Sequence, residues 1–376
     1  MQDNQLKEII TLFKQTGFKS AKIIVSVMFV ITVIANVSLY QIALHLTGHG
    51  NKHDSKERAV RRLLDKPICC KIYAKLVDSL LHFSSSAFEL AMDRTNWKLG
   101  KLSINLFVLS FNWNNIAIPI YWVFLDNNGG NSDSKQREQL IEWFVSQYGT
   151  KNIINLYADR EFPSAEFLRY LLSKKVNFIF RIKDNVLAGD TVKKQFTRKT
   201  LKRLFCDLAN GNYKSESKIR KLLDNRLFIS AKRNDKGELI VLVSNQYHKE
   251  PFSLYANRWN IEVMFNKFKT SGFNIENPHV TDAKRIVTLF TIISLAYVYS
   301  CYIGNLRNEI KPIKQKLIRN VQVKSVSIFR YGFDFIKHII AISMFNVAKP
   351  LKELLRLFNG IPIKSSSCLY NIMSNF

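Results

Sequence analysis

The order of the apolar segments between residues 88 and 182 constrains the fold of this chain more than any other feature. Three strand-like runs follow one another with short polar breaks, and their sequences are FELAMD, SINLFVLSFN and IAIPIYWVFL. A helix, a strand, a second helix and another strand come next, as KQREQLIEWFVSQYG, NIINLYADREF, SAEFLRYLLSKK and VNFIFRIK. Short turns are typical of antiparallel strands, and helical crossovers are typical of parallel strands. The sequence therefore predicts an α/β fold with a mixed sheet flanked by helices.

This order matches the ribonuclease-H-like arrangement, and we assign residues 86–183 and 251–305 to such a core. The intervening residues 184–250 contain the strand-like runs RLFISAKR and LIVLVSN around the turn NDKGE, so we interpret them as a β-rich insertion. The insertion is basic, with cations at Lys193, Lys194, Arg198, Lys199, Lys202 and Arg203. A long apolar helix is expected from Thr281 to Ile303. Residues 306–376 are expected to be basic, mainly helical and a candidate region for dimerisation.

The formal net charge of +27 over 376 residues indicates a polyanionic partner, most simply nucleic acid. Coding bias toward Lys, Ile and Asn is the alternative explanation. The five cysteines include the adjacent pair Cys69 and Cys70 but no C-x-x-C spacing. This pattern argues for a reducing cytoplasm and against a zinc site.

The N-terminal region contains the uncharged run from Ile23 to Tyr40, whose eighteen residues reach the lower limit for a membrane span. Asn36 and Ser38 interrupt the run where a second helix, VSLYQIALHL, can begin. We therefore predict a buried helix and a short second helix, with no membrane span. The membrane anchor stays as the alternative.

A third, basic helix is predicted in DSKERAVRRLLDK, with Asp54 as its N-cap and Glu57 three residues on. Together the three helices predict a helix-turn-helix-like region over residues 1–85 that binds DNA ends. The side chains expected on DNA are Lys56, Arg58, Arg61 and Arg62. A plain helical bundle with a solvated basic face is the alternative.

The stretch YANRWNIEVMFNKFK, residues 255–269, is predicted to be one helix because no Gly or Pro interrupts its apolar spacing. At about 100° per residue, Tyr255, Arg258, Glu262 and Lys269 fall on one stripe. Trp259 lies beside this stripe and is expected to pack on the core, with contact to DNA as the alternative.

Two aspartates complete an acidic set with Glu262. Asp93 is predicted at the end of the first strand and Asp159 at the end of a later strand. Carboxylates at strand ends can meet a helix acid and hold two magnesium ions about 4 Å apart for phosphodiester chemistry. Each acid also has an ordinary explanation: Asp93 as a turn cap, Asp159 paired with Arg160, and Glu262 paired with Arg258.

The run Y-x2-R-x3-E-x6-K resembles the signature of bacterial insertion-sequence transposases of the DDE type that carry the YREK motif. Tyr255, Arg258, Glu262 and Lys269 match its four positions. The segments LAMDRTNWK and YADREF resemble those that carry the first and second acids of that family. Weaker similarities are GNSD followed by Arg137, FRIK, GFNIENPHVTD and SIFRYGFDFI.

The resemblance implies a cut-and-paste transposase that binds terminal inverted repeats, acts as a homodimer on paired ends, and cleaves with two Mg²⁺ or Mn²⁺ ions. It then joins the 3′-hydroxyls to target DNA, and relatives pass through a DNA hairpin. By this resemblance the metal ligands are Asp93, Asp159 and Glu262, and the phosphate contacts are Tyr255, Arg258 and Lys269. Further DNA contacts are expected at Arg160 and Arg181. Localisation is expected in the bacterial cytoplasm, with the nucleoid.

In one respect the sequence departs from this family. Relatives stack a flipped base on an aromatic side chain of the insertion, which here has no tryptophan. The aromatic residues available are Phe196, Phe205, Tyr213 and Phe228. Two functional alternatives stay open: another ribonuclease-H-like nuclease, and a decayed transposase that only binds DNA.

Overall fold

The computed structural model describes residues 21–47, 52–84, 86–100, 102–125, 132–192, 195–318 and 320–344, together with Met373. These residues divide between two compact units. The first unit lies within Met1–Ser85, Lys98–Leu102 and Asn266–Phe376, and the second within Ser86–Trp97 and Ser103–Phe265. The predicted insertion thus shares a unit with the core strands, whereas the long apolar helix shares one with the N-terminal helices.

The second unit is built on an eleven-stranded mixed sheet in the order β3-β2-β1-β4-β5-β11-β10-β9-β6-β7, with β8 paired to β10. Its first five strands are β1 (Phe88–Leu99), β2 (Leu102–Trp113), β3 (Ile116–Phe124), β4 (Ile153–Ala158) and β5 (Phe178–Ile182). β4 is parallel to both β1 and β5, whereas β2 and β3 are antiparallel. The predicted mixed sheet flanked by helices is confirmed.

β1 runs six residues beyond Asp93, so the prediction that the strand ends at this acid was wrong. The segment after Asp93 was predicted to turn because it is polar. In the structure its residues alternate, with Thr95 and Trp97 buried and Asn96 and Lys98 exposed. That alternation is the pattern of a strand with one buried face. The chain reverses only near Gly100, whose φ is +60°.

One helix precedes β4 and another precedes β5, and both begin at side-chain caps. α5 (Ser134–Tyr148) starts with a capping box in which Asp133 and Gln136 bond each other's backbone N–H groups. α6 (Ala165–Ser173) begins at the cap residue Ser164, whose hydroxyl accepts the N–H of Phe167. These caps satisfy N–H groups that have no partner within the helix.

The region 184–250 is rich in strands, as predicted, and extends the core sheet. Its elements are β6 (Leu187–Val192), β7 (Gln195–Thr200), the short α7 (Leu201–Leu204), β8 (Tyr213–Ser215), β9 (Arg220–Leu222), β10 (Asn225–Arg233) and β11 (Leu239–Ser244). β10 and β11 form the expected hairpin, and β11 pairs antiparallel with β5. The strands of this region therefore continue the hydrogen bonding of the core. Lys193 and Lys194 lie outside the described residues.

The first unit begins with α1 (Ala21–Ile34), α2 (Leu39–His45), α3 (His53–Leu64) and α4 (Cys70–Leu81). The run from Ile23 to Tyr40 is split, as predicted: α1 and α2 meet at an angle of 103°. Asn36 stabilises the break, because its Oδ1 accepts the N–H of Ser38 at 2.7 Å.

The long apolar helix is α10 (Ala283–Ile310). By length and composition alone it could cross a membrane, and α1 and α2 would pass the same test if they formed one span. However, 89% of the apolar window in α10 is buried within the protein. The helix therefore has the burial expected of a core helix, but it belongs to the unit of the N-terminal helices and not, as predicted, to that of the core strands.

α10 crosses α11 (Ile328–Met344) at very close range, and two glycines permit the approach. A Cβ atom at Gly304 would lie 2.0 Å from the carbonyl oxygen of Ile328, and one at Gly332 would lie 2.0 Å from that of Ser300. Between these helices the chain forms a two-stranded hairpin of β12 (Gln315–Ile318) and β13 (Val321–Lys324). The sequence did not predict this hairpin within a region expected to be mainly helical. Apart from Met373, residues 345–376 lie outside the described residues.

Candidate active site

The signature stretch 255–269 is helical but is not one regular helix. It consists of the end of α8 (Pro251–Tyr255), a 3₁₀ turn (Ala256–Arg258) and α9 (Trp259–Lys269). A 3₁₀ turn has about three residues per turn, so positions three apart eclipse each other. The guanidinium of Arg258 accordingly lies over the ring of Tyr255, 5.6 Å from its centroid.

Arg258 joins two of the three predicted acids. Its Nη1 donates to Asp93 Oδ2 at 3.4 Å and its Nη2 donates to Glu262 Oε1 at 2.5 Å. The residue is 8% exposed, so these charges interact in a largely dry environment. The structure therefore brings Tyr255, Arg258, Glu262 and Asp93 together.

The carboxylate of Asp93 is largely buried on β1. Burial raises the pKa of this carboxyl to about 7, against the lowering effects of the Arg94 N–H and the Arg258 guanidinium. The Arg94 N–H donates to Asp93 Oδ1 at 2.8 Å. A carboxyl group with so little solvent binds either a proton or a cation more readily than an exposed one.

Asp159 follows directly after β4, as predicted, and its partner is Arg181. Nη1 of Arg181 lies 4.0 Å from Asp159 Oδ1. That oxygen is buried and has no hydrogen-bond partner. Arg160, the partner considered from the sequence, is exposed and makes neither a hydrogen bond nor an ion pair among the described residues.

Tyr255 links the group of Arg258, Asp93 and Glu262 to the segment that carries Asp159. Its hydroxyl donates to the carbonyl oxygen of Ala158, adjacent to Asp159, at 3.3 Å. Burial raises the pKa of the Tyr255 phenol, so the group stays neutral at physiological pH and keeps its proton for donation.

Two arginines fix the loop that follows Asp159. Arg94 forms a two-point ion pair with Glu161, with Nε to Oε1 at 2.7 Å and Nη2 to Oε2 at 2.6 Å. Arg137 is buried, donates to the carbonyl oxygen of Phe162 at 2.6 Å, and also bonds Ser132. In the sequence, Arg137 was only a weak similarity to the family, with no predicted role. Its bonds hold the start of α5 against the Asp159 loop.

The acids do not form a preorganised metal site. Among the described residues, no three side chains of His, Cys, Asp or Glu are grouped so that they could hold an ion. The donor set nevertheless fits a hard cation, since it contains only carboxylate oxygens. Asp159 Oδ1 is buried without a hydrogen-bond partner, and the carboxyl group of Asp93 is largely buried. Oxygens of both side chains could therefore coordinate such a cation.

Lys269, the fourth residue of the signature, is placed differently. It ends α9 and belongs to the first compact unit, where its Nζ lies 3.2 Å from Glu276 Oε1. The sequence placed it on the stripe of Tyr255, Arg258 and Glu262 but gave no sign of this acidic partner.

A polar network beneath the signature helix was missed in the sequence analysis. Glu89 on β1 accepts hydrogen bonds from the Tyr157 hydroxyl at 2.8 Å and from Asn257 at 2.9 Å. Asn112 on β2 donates to Glu89 at 3.3 Å and accepts from Asn260 at 3.0 Å. Polar residues within apolar strands were the available signal. The network ties the segment before Glu262 to the strand that carries Asp93.

A cationic cavity of about 430 Å³ lies next to Asp159. Its lining includes the cations Arg160, Arg181, Lys183, Lys202 and Arg233, together with the acids Asp184 and Glu238. Arg181 pairs with Glu238 at 2.8 Å, whereas Arg233 donates to three backbone carbonyls. The cavity therefore has an excess of positive charge. Arg160 and Arg181, both predicted to contact DNA, lie in it.

The basic N-terminal helix α3 begins at His53 with Lys52 at the cap position, so the prediction that Asp54 caps it was wrong. Asp54 lies in the first turn and makes no capping bond. Among the four predicted DNA-binding residues, Arg58 and Arg62 are exposed, Lys56 is half-buried, and Arg61 pairs with Glu57 at 2.6 Å. The helix thus presents part of the predicted basic surface.

The prediction that Trp259 packs on the core was wrong, because its side chain is 59% exposed. It lies at the start of α9, one turn before Glu262. Among the aromatic residues of the insertion, Phe205 is buried, Phe228 is half-buried and Tyr213 is exposed. The Tyr213 hydroxyl donates to Glu250 at 3.0 Å. The side chain of Phe196 lies outside the described residues.

Residues 90–299, more than half of the 376-residue chain, match the family described as "Transposase DDE domain". Among solved structures, the chain is similar to the piggyBac transposase synaptic complex with hairpin DNA, determined by cryo-EM. The sequence identity is 12% and the TM-score 0.45, with 97% of this chain and 84% of that chain covered. No curated protein matches the chain.

Proposed function

The chain belongs to the family of transposases with a DDE domain, and from this premise we propose that it is a cut-and-paste transposase of the YREK group from a bacterial insertion sequence. It would bind terminal inverted repeats, cleave at the element ends with two divalent metal ions and join the 3′-hydroxyls to target DNA. The observation that carries this proposal is the buried Arg258 bridging Asp93 and Glu262, with Tyr255 linking it to the segment that carries Asp159.

The strand order supports a ribonuclease-H-like core. β1, β2 and β3 are consecutive neighbours, and β4 and β5 add on the other side of β1 in parallel. In such sheets, functional groups gather beyond the carboxyl ends of the parallel strands. Asp159 occupies that position on β4.

Asp93, Asp159 and Glu262 are the residues that would hold Mg²⁺ or Mn²⁺. A bound divalent ion supplies Lewis-acid activation of a water or a 3′-hydroxyl and neutralises charge on the leaving oxygen. Until an ion binds, Arg258 provides the positive charge between Asp93 and Glu262. Its bonds to these acids hold them in place without the metal.

Three groups would position the DNA backbone. The Tyr255 phenol keeps its proton and can donate to a phosphate oxygen. Arg258, which pairs with Asp93 and Glu262, could also offer guanidinium donors to a phosphate. Lys269 would supply a further phosphate contact near the transposon end, and Trp259 offers an exposed ring that can stack on a base.

The basic surfaces would contact more distant DNA. Arg58 and Arg62 on α3 would bind the element ends, with Lys56 and Arg61 beside them, and Arg160 and Arg181 would bind phosphate in the cationic cavity. We propose a homodimer on paired ends and a hairpin intermediate, both from the family resemblance.

A cleavage assay on the full chain tests the proposal. A plasmid carrying the gene with its flanking inverted repeats is incubated with the protein in Mg²⁺ and in EDTA. The wild type should cut at the repeats only with the metal, and Glu262→Gln should not cut. The surface variant Glu142→Gln is the control, since that carboxylate is about half exposed and pairs with Lys174. Undiminished cutting by Glu262→Gln would refute the assignment.

The same reaction separates the alternatives. A transposase joins the cut ends to a second plasmid, whereas another ribonuclease-H-like nuclease cuts without joining. A decayed transposase would bind the repeats and show no metal-dependent cutting.

A further inference from the structure

The hairpin of β12 and β13 is an exposed ribbon. Its four residue pairs run from Gln315 with Lys324 to Ile318 with Val321. Every described residue in its two strands is exposed except Val323, which is half-buried. Leu317 is 67% exposed and Val321 59% exposed. Both faces of the ribbon are therefore accessible to a partner.

The ribbon and its flanks are positively charged. Residues 310–333 contain no Asp or Glu, and the cations in this stretch are Lys311, Lys314, Lys316, Arg319, Lys324 and Arg330. In the described part of the chain, Lys314, Lys316 and Lys324 are exposed and none of them has a carboxylate partner. The nearest acids in sequence, Glu309 and Asp334, bond to Asn305 and Arg330.

The base of the ribbon is held firmly on the helices. Arg307 is 2% exposed and lies 3.8 Å from the ring centroid of Tyr331. The Tyr331 hydroxyl donates to the carbonyl oxygen of Lys311 at 3.0 Å, and the Ser325 N–H donates to that of Lys314 at 2.8 Å. A fixed base presents the exposed strands in a defined direction.

From these observations we propose that the β12–β13 hairpin is a second DNA-binding surface that enters a groove of duplex DNA. A two-stranded ribbon fits the width of the major groove. Lysines on the ribbon would contact phosphates, and Gln315 and Gln322 carry the amide groups that can bond base edges. Leu317 pairs with Gln322 and shares a face with Gln315, so on that face it offers the apolar contact that a thymine methyl group accepts.

This inference extends the proposed function and rests on DNA being the partner, but it requires no catalysis. Residues 310–333 contain no Asp or Glu, so the hairpin is better suited to a polyanionic partner than to a second copy of the chain.

Duplex binding by the full chain tests the proposal. Affinity for a duplex without inverted repeats is measured by fluorescence anisotropy over a series of salt concentrations, for wild type and for Lys316→Ala/Lys324→Ala. We expect a fall of about tenfold in affinity. We also expect the slope of log K against log salt to become shallower by about 1.8, since each phosphate contact contributes about 0.9.

The control is Lys151→Ala/Lys249→Ala, which removes two exposed lysines elsewhere. Equal affinity and slope in the hairpin and control variants would overturn the proposal. A second variant, Leu317→Ser/Val321→Ser, is examined by light scattering and by the same binding assay. A change in its molar mass, with DNA binding unchanged, would overturn the proposal in favour of a contact between copies.

Cleavage is measured in parallel, so that the two failures can be told apart. If the wild type never cuts DNA but the hairpin variant binds duplex more weakly than the wild type, the proposed catalysis is refuted and the hairpin surface is supported. If the wild type cuts in a metal-dependent way but the hairpin variant binds duplex as the wild type does, the hairpin surface is refuted and the proposed catalysis is supported.

Discussion

Asp93 on β1 and Asp159, directly after the parallel strand β4, occupy equivalent positions relative to the pairing of these two strands. The last residue pair between β1 and β4 is Ala91 with Tyr157. Asp93 lies two residues after Ala91, and Asp159 lies two residues after Tyr157. Residues in equivalent positions on neighbouring parallel strands lie side by side, because such strands are about 4.8 Å apart. The sheet therefore aligns two of the three predicted acids, and Arg258 connects the third to Asp93.

The first prediction concerns the stability of the metal-free protein as a function of pH. Burial raises the pKa of Asp93 to about 7 in the folded state, above the ordinary value of 3.8 that applies to the unfolded chain. The ionised carboxylate therefore reduces stability progressively as pH rises from about 4 to 7, and by a constant amount above 7. Asp93→Asn should stabilise the protein at pH 8 by roughly 2–4 kcal/mol.

Urea unfolding in EDTA at pH 5, 6.5 and 8 measures this effect. The gain from Asp93→Asn should grow with pH across the series. Asp184→Asn, a half-exposed carboxylate in the cationic cavity, serves as the comparison. A gain from Asp93→Asn that is equal at all three pH values would contradict the assigned ionisation.

The second prediction concerns Trp259. Its ring is 59% exposed one turn before Glu262, so Trp259→Ala should leave the free energy of unfolding almost unchanged. Loss of stacking on a base should weaken binding to element ends by about 1–3 kcal/mol, or about 5- to 150-fold. Trp259→Phe keeps a stacking face and should restore most of the affinity. If both variants bind like wild type, the ring does not touch DNA.

Much of the sheet could be predicted because the information is local. β2, β4 and β5 are mainly apolar runs bounded by polar breaks, and buried strands are recognised by such runs. The pairing of Arg258 with Glu262 was also foreseen, as an ordinary contact across one helical turn.

Other features depend on tertiary contacts that no local pattern encodes. Asp159 meets Arg181, which is on a different strand, instead of the adjacent Arg160. Trp259 has an aromatic character that suits a core, yet its side chain is 59% exposed in the part of the chain that the structure describes. The β12–β13 strands are four residues each and almost wholly exposed, so they leave no alternation of buried and exposed positions to detect.

The third prediction concerns the cationic cavity beside Asp159. Arg160 and Lys202 are exposed, and neither has a partner in the described part of the chain. If the cavity holds a phosphate, Arg160→Ala/Lys202→Ala should make the salt slope of DNA binding shallower by up to about 1.8. The reference is the salt slope measured for Lys151→Ala/Lys249→Ala, which removes two exposed lysines elsewhere. A slope equal to that reference would exclude the cavity as a phosphate site.

The fourth prediction concerns the crossing of α10 and α11. A Cβ atom at Gly332 would meet the backbone oxygen of Ser300 at 2.0 Å, so Gly332→Ala must push the helices apart. We expect a loss of about 1–3 kcal/mol or more in the free energy of unfolding, as for overpacked cores. Gly100→Ala meets no atom within 4 Å and should cost only about 1 kcal/mol for its positive φ. Equal losses in thermal or urea unfolding would mean that the close crossing does not exist.

The last prediction concerns Asn257, which links the signature segment to β1. Asn257→Ala removes its hydrogen bond to Glu89 and leaves this partly buried carboxylate with fewer donors. The free energy of unfolding should fall by about 1–3 kcal/mol. Because the bond fixes the segment before Glu262, metal-dependent cleavage should fall further than DNA affinity. Asn277→Ala, an exposed amide that bonds Asn274, is the matched control. Parallel losses of cleavage and affinity in Asn257→Ala would show that the bond stabilises the fold without positioning the acid.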